Sequence, residues 1–330
     1  MPPRKMPMKH VRYSVIVPVY NRPQEIDELL QSLLHQTYTN FEVLIVEDGS
    51  TLRSEDVVER YSDRLTIRYF FKSNSGPGPS RNFGFSQALG EYFVVFDSDC
   101  VIPDSYFEVV NEALEKYKWD AWGGPDRGHE SFTPLQRAMG YTMASVLTTG
   151  GIRGGKKHLG WFQPRSFNMG ISRRVFEATG GFKFDRFAED IEFSIRMRNG
   201  GFKVGLVPDA YVFHKRRTSF AGFYDQVFNF GRGRILVGRE FPDEVKLTHW
   251  LPAIFVIGVS SLVILPFLSS ALFFLALIGL GCYLVAIFLH SLFVNRDITV
   301  ALLSVPAAWL QLWGYGLGFL KERFDSGSHR

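Results

Sequence analysis

The stretch Gly90-Glu91-Tyr92-Phe93-Val94-Val95-Phe96-Asp97-Ser98-Asp99-Cys100 decides the fold of this chain, because it ends a short apolar run with two carboxylates. The run before Asp97 is aromatic and β-branched, which predicts a strand buried on both faces of a parallel sheet. Ligands of such sheets bind outside the carboxyl ends of the strands. Asp97 and Asp99 therefore predict a site for Mg²⁺ or Mn²⁺ and for the phosphates that the cation carries. Taken alone, the pair also fits an ordinary cap.

Charge is distributed unevenly along the 330 residues, whose net charge is +4. Between residues 251 and 320 the fully charged side chains are Arg296 and Asp297. We expect membrane segments there, each near the roughly 20 residues that cross a hydrocarbon core. The apolar stretches are residues 250–267, 271–294 and 298–320. A very hydrophobic soluble helical domain is the alternative, and the last stretch either crosses the membrane or lies in its interface.

Other features narrow the class of protein. Residues 1–10 are basic and lack the apolar core of a signal peptide, so we expect a multi-pass protein of the cell membrane with its first domain in the cytoplasm. The two cysteines, Cys100 and Cys282, exclude a disulfide framework and a metal finger. The modest net charge and the absence of a nucleic-acid-binding motif predict no nucleic-acid partner.

Predicted strands and helices alternate through the first hundred residues, which indicates a mostly parallel sheet flanked by helices. The second strand runs into Glu47-Asp48-Gly49-Ser50, so Asp48 is expected at the same sheet edge as Asp97 and Asp99. Arg81 begins a helix, where phosphates often bind, although an arginine at this position is also commonly just solvated. The predicted strands are residues 13–19, 41–46, 65–71 and 92–96, and the helices are residues 23–34, 54–61 and 80–88.

Four motifs follow one another along the chain: Ser14-Val15-Ile16-Val17-Pro18-Val19-Tyr20-Asn21, Glu47-Asp48-Gly49-Ser50, Ser80-Arg81-Asn82-Phe83-Gly84 and Asp97-Ser98-Asp99. In this order they resemble the nucleotide-sugar half of the family 2 glycosyltransferases. The resemblance covers about residues 10–240 and implies the GT-A fold, a nucleotide-diphospho-sugar donor such as a UDP-sugar, and a divalent metal. One position departs from the family, which more often has two aspartates where this chain has Glu47-Asp48.

The resemblance also implies roles for individual residues on the donor side. Asp97 and Asp99 would hold ribose, metal and diphosphate, with Arg81 as a further cation. His214 follows a predicted strand and resembles the position where relatives complete the metal site with an imidazole, although a lone histidine there is often only polar. The residues that would meet the base and ribose are Pro18, Tyr20, Asn21 and Asp48.

Glu189 and Asp190 begin a later predicted helix, where acidic residues are favourable for the helix dipole alone. Following the donor motifs, they resemble the family's Glu-Asp motif on the acceptor side. A sugar hydroxyl attacks an anomeric carbon only slowly unless a base removes its proton. We therefore predict catalytic roles for both, with Asp190 as the base of a single displacement that inverts the anomeric configuration.

The predicted organisation is a GT-A catalytic domain over residues 11–218, followed by an amphipathic interfacial segment at 219–248 and a membrane region at 249–320. The interfacial segment can also be read as a surface helix of the soluble domain. Short tails at residues 1–10 and 321–330 complete the chain. The function that follows is sugar transfer at a membrane to a lipid-linked or cell-surface glycan. Transfer to polyprenyl phosphate and an inactive nucleotide-binding scaffold remain alternatives.

Overall fold

A computed structural model describes residues 11–128, 132–149, 161–215 and 217–325 of the chain. The tails at residues 1–10 and 326–330 lie outside these described residues. The chain divides into two compact units. Among the described residues, unit 1 contains residues 11–127 and 161–214, and unit 2 contains residues 128, 132–149, 215 and 217–325.

All strands of the described residues belong to unit 1, and most of them form one sheet. Its strand order is β3-β2-β1-β4-β8-β6-β9, with β8 antiparallel to both of its neighbours and the remaining pairs parallel. A small second sheet has the order β5-β10-β7. The strands are β1 Tyr13–Val19, β2 Phe41–Asp48, β3 Ile67–Lys72, β4 Tyr92–Phe96, β5 Cys100–Val101, β6 Ala121–Gly123, β7 Asp126–Arg127, β8 Asn168–Ser172, β9 Val204–Leu206 and β10 Val212–His214.

The α-helices of the described residues are divided between the units, with α1–α4, α7 and α8 in unit 1 and the remainder in unit 2. They are α1 Pro23–Leu34, α2 Glu55–Glu59, α3 Pro77–Gln87, α4 Tyr106–Tyr117, α5 Pro134–Ala144, α6 Val146–Thr149, α7 Arg173–Thr179, α8 Glu189–Asn199, α9 Phe220–Glu240, α10 Leu251–Ser261, α11 Leu265–Leu268, α12 Ser270–Asn295 and α13 Ile298–Phe324.

Helices cover both faces of the main sheet, as the continuous apolar strands require. Val15 and Val17 of β1 belong to one core layer with Leu29 of α1. Ile16, between them in sequence, points to the opposite layer and packs with Phe85 of α3. Burial of each such side chain contributes about 1.5–3 kcal/mol of transfer free energy. The mostly parallel α/β sheet predicted from the sequence is confirmed, and β1 and β4 have the predicted bounds.

Two local features differ from the predictions. Helix α3 begins at Pro77, three residues before the predicted start, because Pro77 and Pro79 fit the first turn of a helix, where no backbone donor is lost. The helix follows Gly76, whose φ of +100° suits glycine alone. The small sheet was not predicted, because strands of two or three residues are too short to show an alternating pattern.

Unit 2 contains two helices that are long and apolar enough to cross a membrane, α12 and α13, judged by length and composition. The first predicted membrane stretch, residues 250–267, is instead broken into α10 and α11. The boundaries between the predicted apolar stretches coincide with the starts of α12 and α13. Ser269 accepts a hydrogen bond from the Leu272 amide at the start of α12, and Asp297 accepts one from the Thr299 amide at the start of α13.

Candidate active site

The loops after β1 and β2 are joined by the side chain of Asn21. Its Oδ1 accepts hydrogen bonds from the backbone amides of Thr51 at 2.8 Å and Leu52 at 2.9 Å. Asn21 has a φ of +55°, a conformation that asparagine tolerates better than most residues. Tyr20 beside it is 53% exposed, and Pro18 lies inside β1 opposite Val46. Of the residues predicted to meet the base, Tyr20 therefore has an exposed ring, while Asn21 holds the loops together.

Asp48, at the end of β2, organises the loop that leads into α3. Its carboxylate accepts a hydrogen bond from Lys72 Nζ at 2.6 Å and from the amides of Ser75 at 2.9 Å and Gly76 at 2.8 Å. Burial alone would raise the pKa of Asp48, but the ammonium group and the two amides outweigh it and hold the pKa below its usual value. Asp48 is therefore an anion that fixes the start of α3 beside the strand ends.

Arg81 of α3 connects the donor-side and acceptor-side carboxylates that the sequence predicted. Its guanidinium donates to Asp97 Oδ1 at 2.8 Å and to Glu189 Oε1 at 2.7 Å. Arg81 is 2% exposed, and these two carboxylates balance its buried charge. The structure thus brings Arg81, Asp97 and Glu189 together, although Glu189 lies 108 residues away from Arg81 in the chain.

The two acidic residues at the start of α8 have different surroundings. Glu189 is 7% exposed, and burial raises its pKa, with Arg81 acting in the opposite direction. Asp190 is less buried, and Arg165 donates to its Oδ2 at 3.3 Å. The segment that carries Arg165 leads into β8, which begins opposite Phe96, so this segment lies at the sheet edge where β4 ends. Asp190 is the more accessible carboxylate of the pair because it is less buried than Glu189.

Asp99 and His214 meet because β5 and β10 are paired in antiparallel register, with Cys100 opposite His214. His214 Nε2 lies 3.1 Å from Asp99 Oδ1, while Arg22 forms an ion pair with Asp99 Oδ2. Burial opposes ionisation of Asp99, but His214 and Arg22 together hold its pKa below the usual value. The ring of Phe167 stacks on His214 with 4.9 Å between the centroids.

The donor atoms at this point fit a divalent cation. Asp99 Oδ1 is buried and lies 3.1 Å from an imidazole nitrogen of His214. An aspartate oxygen and a histidine nitrogen that converge in this way suit Mn²⁺, and Mg²⁺ with additional oxygen ligands. Cys100 Sγ lies within 4.8 Å of both donor atoms. Burial raises the pKa of the Cys100 thiol well above its usual value, so this group stays protonated and donates to the Phe167 carbonyl oxygen at 3.6 Å.

Asp97, also predicted as a metal ligand, lies apart from this group of donor atoms and pairs with Arg81. Sequence reasoning missed three cations that contact the predicted carboxylates: Arg22 at Asp99, Lys72 at Asp48 and Arg165 at Asp190. The sequence could have predicted Lys72, because a parallel pairing of β2 with β3 places this residue opposite Asp48.

Comparisons with known proteins agree with the fold. Residues 14–180 match the model of glycosyl transferase family 2, and the chain belongs to this family. The chain is 38% identical over 112 residues to an uncharacterized glycosyltransferase of Rickettsia felis, a match that covers 34% of this chain and 19% of the relative. It is 43% identical over 93 residues to the poly(ribitol-phosphate) beta-N-acetylglucosaminyltransferase TarS of Staphylococcus aureus (strain Mu50), covering 27% of this chain and 16% of TarS. The matched regions thus span a fifth or less of these relatives.

Solved structures resemble the chain over nearly its whole length. The mannosyltransferase PcManGT from Pyrobaculum calidifontis, in complex with GDP-Man and Mn²⁺, has a TM-score of 0.65 and 18% identity, covering 97% of this chain and 89% of that one. Residues 1–349 of S. aureus TarS, in complex with UDP-GlcNAc, have a TM-score of 0.50 and 19% identity, covering 95% and 92%. At this identity the likeness shows the fold, which is of the predicted GT-A type.

Proposed function

We propose that the chain is a membrane-bound inverting glycosyltransferase that moves a sugar from a nucleotide-diphospho-sugar to a hydroxyl of a lipid-linked or cell-surface glycan. The observation that carries the proposal is the position of Arg81, which joins donor-side Asp97 to Glu189 next to acceptor-side Asp190. Asp99 and His214 lie at the carboxyl end of the same β4 strand. The groups proposed for donor, metal and acceptor thus all belong to unit 1.

The proposed donor is a UDP-sugar. The solved neighbours named above hold UDP-GlcNAc and GDP-Man, which supports a nucleotide sugar without fixing its base. The exposed ring of Tyr20 offers a surface on which a base can stack. Pro18 and Asn21 shape the loops around it, and Asp48, engaged with Lys72, contributes its negative charge and the position of the α3 loop.

Asp99 and His214 would hold the proposed Mn²⁺ or Mg²⁺, with Asp97 beside them toward the ribose and diphosphate. When bound, a divalent cation neutralises charge that develops on the departing diphosphate. Arg22 pairs with Asp99 and Arg81 pairs with Asp97, so both guanidinium groups add fixed positive charge close to the proposed diphosphate position.

Asp190 is the proposed base. As the acceptor oxygen forms its bond to the anomeric carbon, the proton of the hydroxyl passes to an Asp190 carboxylate oxygen, and the bond between that carbon and the diphosphate oxygen breaks. One displacement of this kind inverts the anomeric configuration. Arg165 fixes the orientation of Asp190, and Glu189, buried between Arg81 and Ser166, positions the start of α8.

The Asp190→Asn variant tests this assignment. It keeps the shape of the side chain but removes the base, so we expect transfer to fall by about 10²- to 10⁴-fold while donor affinity is unchanged. Asp209→Asn, at an exposed carboxylate of unit 1, is the matched control and should retain full activity. Full transfer by a folded Asp190→Asn protein would show that another group, or none, removes the proton.

Transfer to polyprenyl phosphate is the second candidate, and Arg165 is the observation that favours it. A cation at the acceptor side suits a phosphate acceptor, which is already an anion and needs no strong base. This candidate predicts abundant product with polyprenyl phosphate, none with hydroxyl acceptors, and an Asp190→Asn variant that remains active. An Arg165→Met variant would then lose affinity for the acceptor.

The proposed location is the cell membrane, with the catalytic domain of residues 11–218 in the cytoplasm and the membrane region at residues 249–320. The apolar helices α12 and α13 support membrane association. Residues 219–248 would lie at the interface, because α9 combines a buried apolar stripe with arginines on its remaining surface.

A further inference from the structure

Helix α13 of unit 2 lies between a polar helix and an apolar one. Gly314 and Gly318 face α9, and a Cβ atom at Gly318 would lie 2.0 Å from the Phe228 carbonyl oxygen. Gly316 faces α10, where a Cβ atom would lie 2.3 Å from the Pro252 carbonyl oxygen. Residues two apart in a helix are about 200° apart around its axis. Helices α9 and α10 therefore contact opposite faces of α13.

The polar helix α9 runs in the same direction as α13 along its C-terminal half. Val227 contacts Gly314, while Arg232 and Arg239, further along α9, bind Glu322. Asp225 is exposed and lies close in sequence to Val227, near the midpoint of α13. If α13 crossed a bilayer, Asp225 would lie near the hydrocarbon centre, where a charged side chain is strongly unfavourable.

Helix α10 contacts α13 through its N-terminal half, and α12 contacts α13 through its C-terminal half. Helix α10 contacts α13 up to Val256, which packs on Gly316. Helix α12 makes its polar contact with α13 near its C-terminal end, where the hydroxyls of Ser291 and Ser304 are 2.8 Å apart. The segment between these contacts, residues 257–282, contains no buried residue. We call this segment the wedge.

The surface of the wedge is uncharged and mostly apolar. Its sequence contains no charged residue, and its largest side chains are widely exposed, with Phe267 at 87%, Leu268 at 75% and Val263 at 74%. A continuous apolar surface of this extent is not stable against water and marks a contact with a protein or a membrane. Cations flank the contact points on α13, including Arg296 at its start and Lys321 and Arg323 in its last turn.

The helical leg of the wedge is shorter than a hydrocarbon core, although α12 as a whole is long enough to cross one. Residues 270–282, its helical leg from α12, extend for about 20 Å at 1.5 Å per residue. The hydrocarbon core of a membrane is about 30 Å thick, so this leg passes the middle of the core and ends inside it.

We propose that the wedge inserts into one leaflet of an anionic membrane while α13 lies in the plane of the lipid headgroups and does not cross. The basic ends of α13 then meet lipid phosphates, and α9 keeps its charges outside the hydrocarbon. Both ends of the membrane region stay on one side. The inference deepens the membrane part of the proposed function and makes no use of the sugar-transfer chemistry of unit 1.

Sided cysteine labelling of the full chain in membrane vesicles tests the proposal. In a Cys282→Ser background, where the remaining native cysteine, Cys100, is buried, one further cysteine at a time is introduced as Phe267→Cys in the wedge, Arg323→Cys at the end of α13, or Leu89→Cys at an exposed position of unit 1. We expect an impermeant maleimide to label Arg323→Cys and Leu89→Cys from the same side. It should label Phe267→Cys from neither side until detergent is added.

Other labelling patterns overturn the proposal. Labelling of Arg323→Cys, or of a further variant Thr299→Cys at the exposed start of α13, from the side opposite to Leu89→Cys would show that α12 or α13 crosses the membrane. Labelling of Phe267→Cys without detergent would place the wedge tip in water, on whichever side it occurred. A fluorophore on Phe267→Cys should also be quenched more strongly by lipids spin-labelled near the chain end than by lipids labelled near the headgroup, and the reverse order would contradict a deep wedge.

A binding measurement covers the case in which a cysteine variant fails to fold. Phe267→Asp should lower binding to vesicles containing phosphatidylglycerol by about tenfold or more, because it removes a large apolar contact and adds a charge. Leu89→Asp is the matched control and should bind like the wild type. Undiminished binding by Phe267→Asp would overturn the proposal. Donor cleavage by the same samples in detergent reports on unit 1 alone, so failure of the wedge and failure of the proposed function are distinguishable.

Discussion

Each unit contains a carboxylate that contacts two basic side chains, and the two carboxylates differ in which partners their oxygens meet. In unit 2, Glu322 is 1% exposed, with Oε1 bound by Arg239 at 2.8 Å and Oε2 by Arg232 at 3.0 Å. In unit 1, Asp99 pairs with Arg22 through Oδ2, while Oδ1 lies 3.1 Å from His214 Nε2.

The difference separates a carboxylate that stabilises the fold from one that is suited to bind a ligand. Both oxygens of Glu322 are satisfied, so the group joins α9 to α13 and has no capacity left for a ligand. Oδ1 of Asp99 instead lies beside a single imidazole nitrogen, a pairing of ligand atoms that a divalent cation can use, which is the role proposed for Asp99. Replacing Asp99 should therefore affect ligand binding, and replacing Glu322 should not.

The largest expected effect is that of Asp99→Asn on activity. The change removes the charge that would hold a metal, and we expect donor cleavage to fall by about 10³-fold. Mn²⁺ affinity, measured by calorimetry, should fall with it, and the broken pair with Arg22 should lower the thermal stability as well. Asp104→Asn, an exposed neighbour in sequence, should behave as the wild type in both measurements. A large loss of stability with Mn²⁺ binding intact would place Asp99 in the same class as Glu322.

Glu322→Gln should lower stability without lowering activity. Removal of one partner from a buried ion pair leaves the others uncompensated, and we expect the free energy of unfolding of unit 2 to fall by about 3 kcal/mol. Urea denaturation in detergent measures this change. Glu240→Gln, at an exposed position of α9, is the control. Donor cleavage by Glu322→Gln should stay at the wild-type level under conditions where the protein is folded, and its specific loss would contradict a purely stabilising role.

Asp48 gives a smaller and pH-dependent effect, because its oxygens are filled, as those of Glu322 are, although it lies at the candidate site. Its pKa is lowered in the folded state, so its stabilising contribution is present above the unfolded value near 3.8 and is lost as the pH falls through the lower folded value. Lys72→Met should lower the free energy of unfolding by about 2 kcal/mol at pH 7. The difference from wild type should shrink below about pH 4. A difference that does not depend on pH would mean that Lys72 acts through packing alone.

The main sheet was predictable because its long strands are apolar enough for each to be recognised from its own sequence. β1 and β4 have the predicted bounds, and the carboxylates at the ends of β2 and β4 follow from the common edge of a parallel sheet. Asp97, Asp99 and Asp48 were placed at this edge for that reason. Family resemblance supplied the positions of Glu189, Asp190 and His214, which their local sequences do not distinguish from polar or helix-start residues.

The partners of these carboxylates were not predictable in the same way. Arg22 meets Asp99 across 77 residues, and Arg81 meets Glu189 across 108, through contacts that only the folded chain creates. The pairing of β5 with β10 sets the approach of His214 to Asp99, and each strand is too short to have a periodic signal. In unit 2, hydropathy located the apolar stretches, but it did not show that α9 packs along α13.

Release of nucleoside diphosphate from a panel of nucleotide sugars, by the full chain in native membranes with Mn²⁺ or Mg²⁺, tests the central claim most directly. We expect release from at least one donor, and its loss when EDTA removes the cation. Release that is faster with a glycan or lipid acceptor would add the transfer step. A folded protein that binds a nucleotide sugar but cleaves none of the panel would instead be an inactive nucleotide-binding scaffold, and that result would contradict the proposed function.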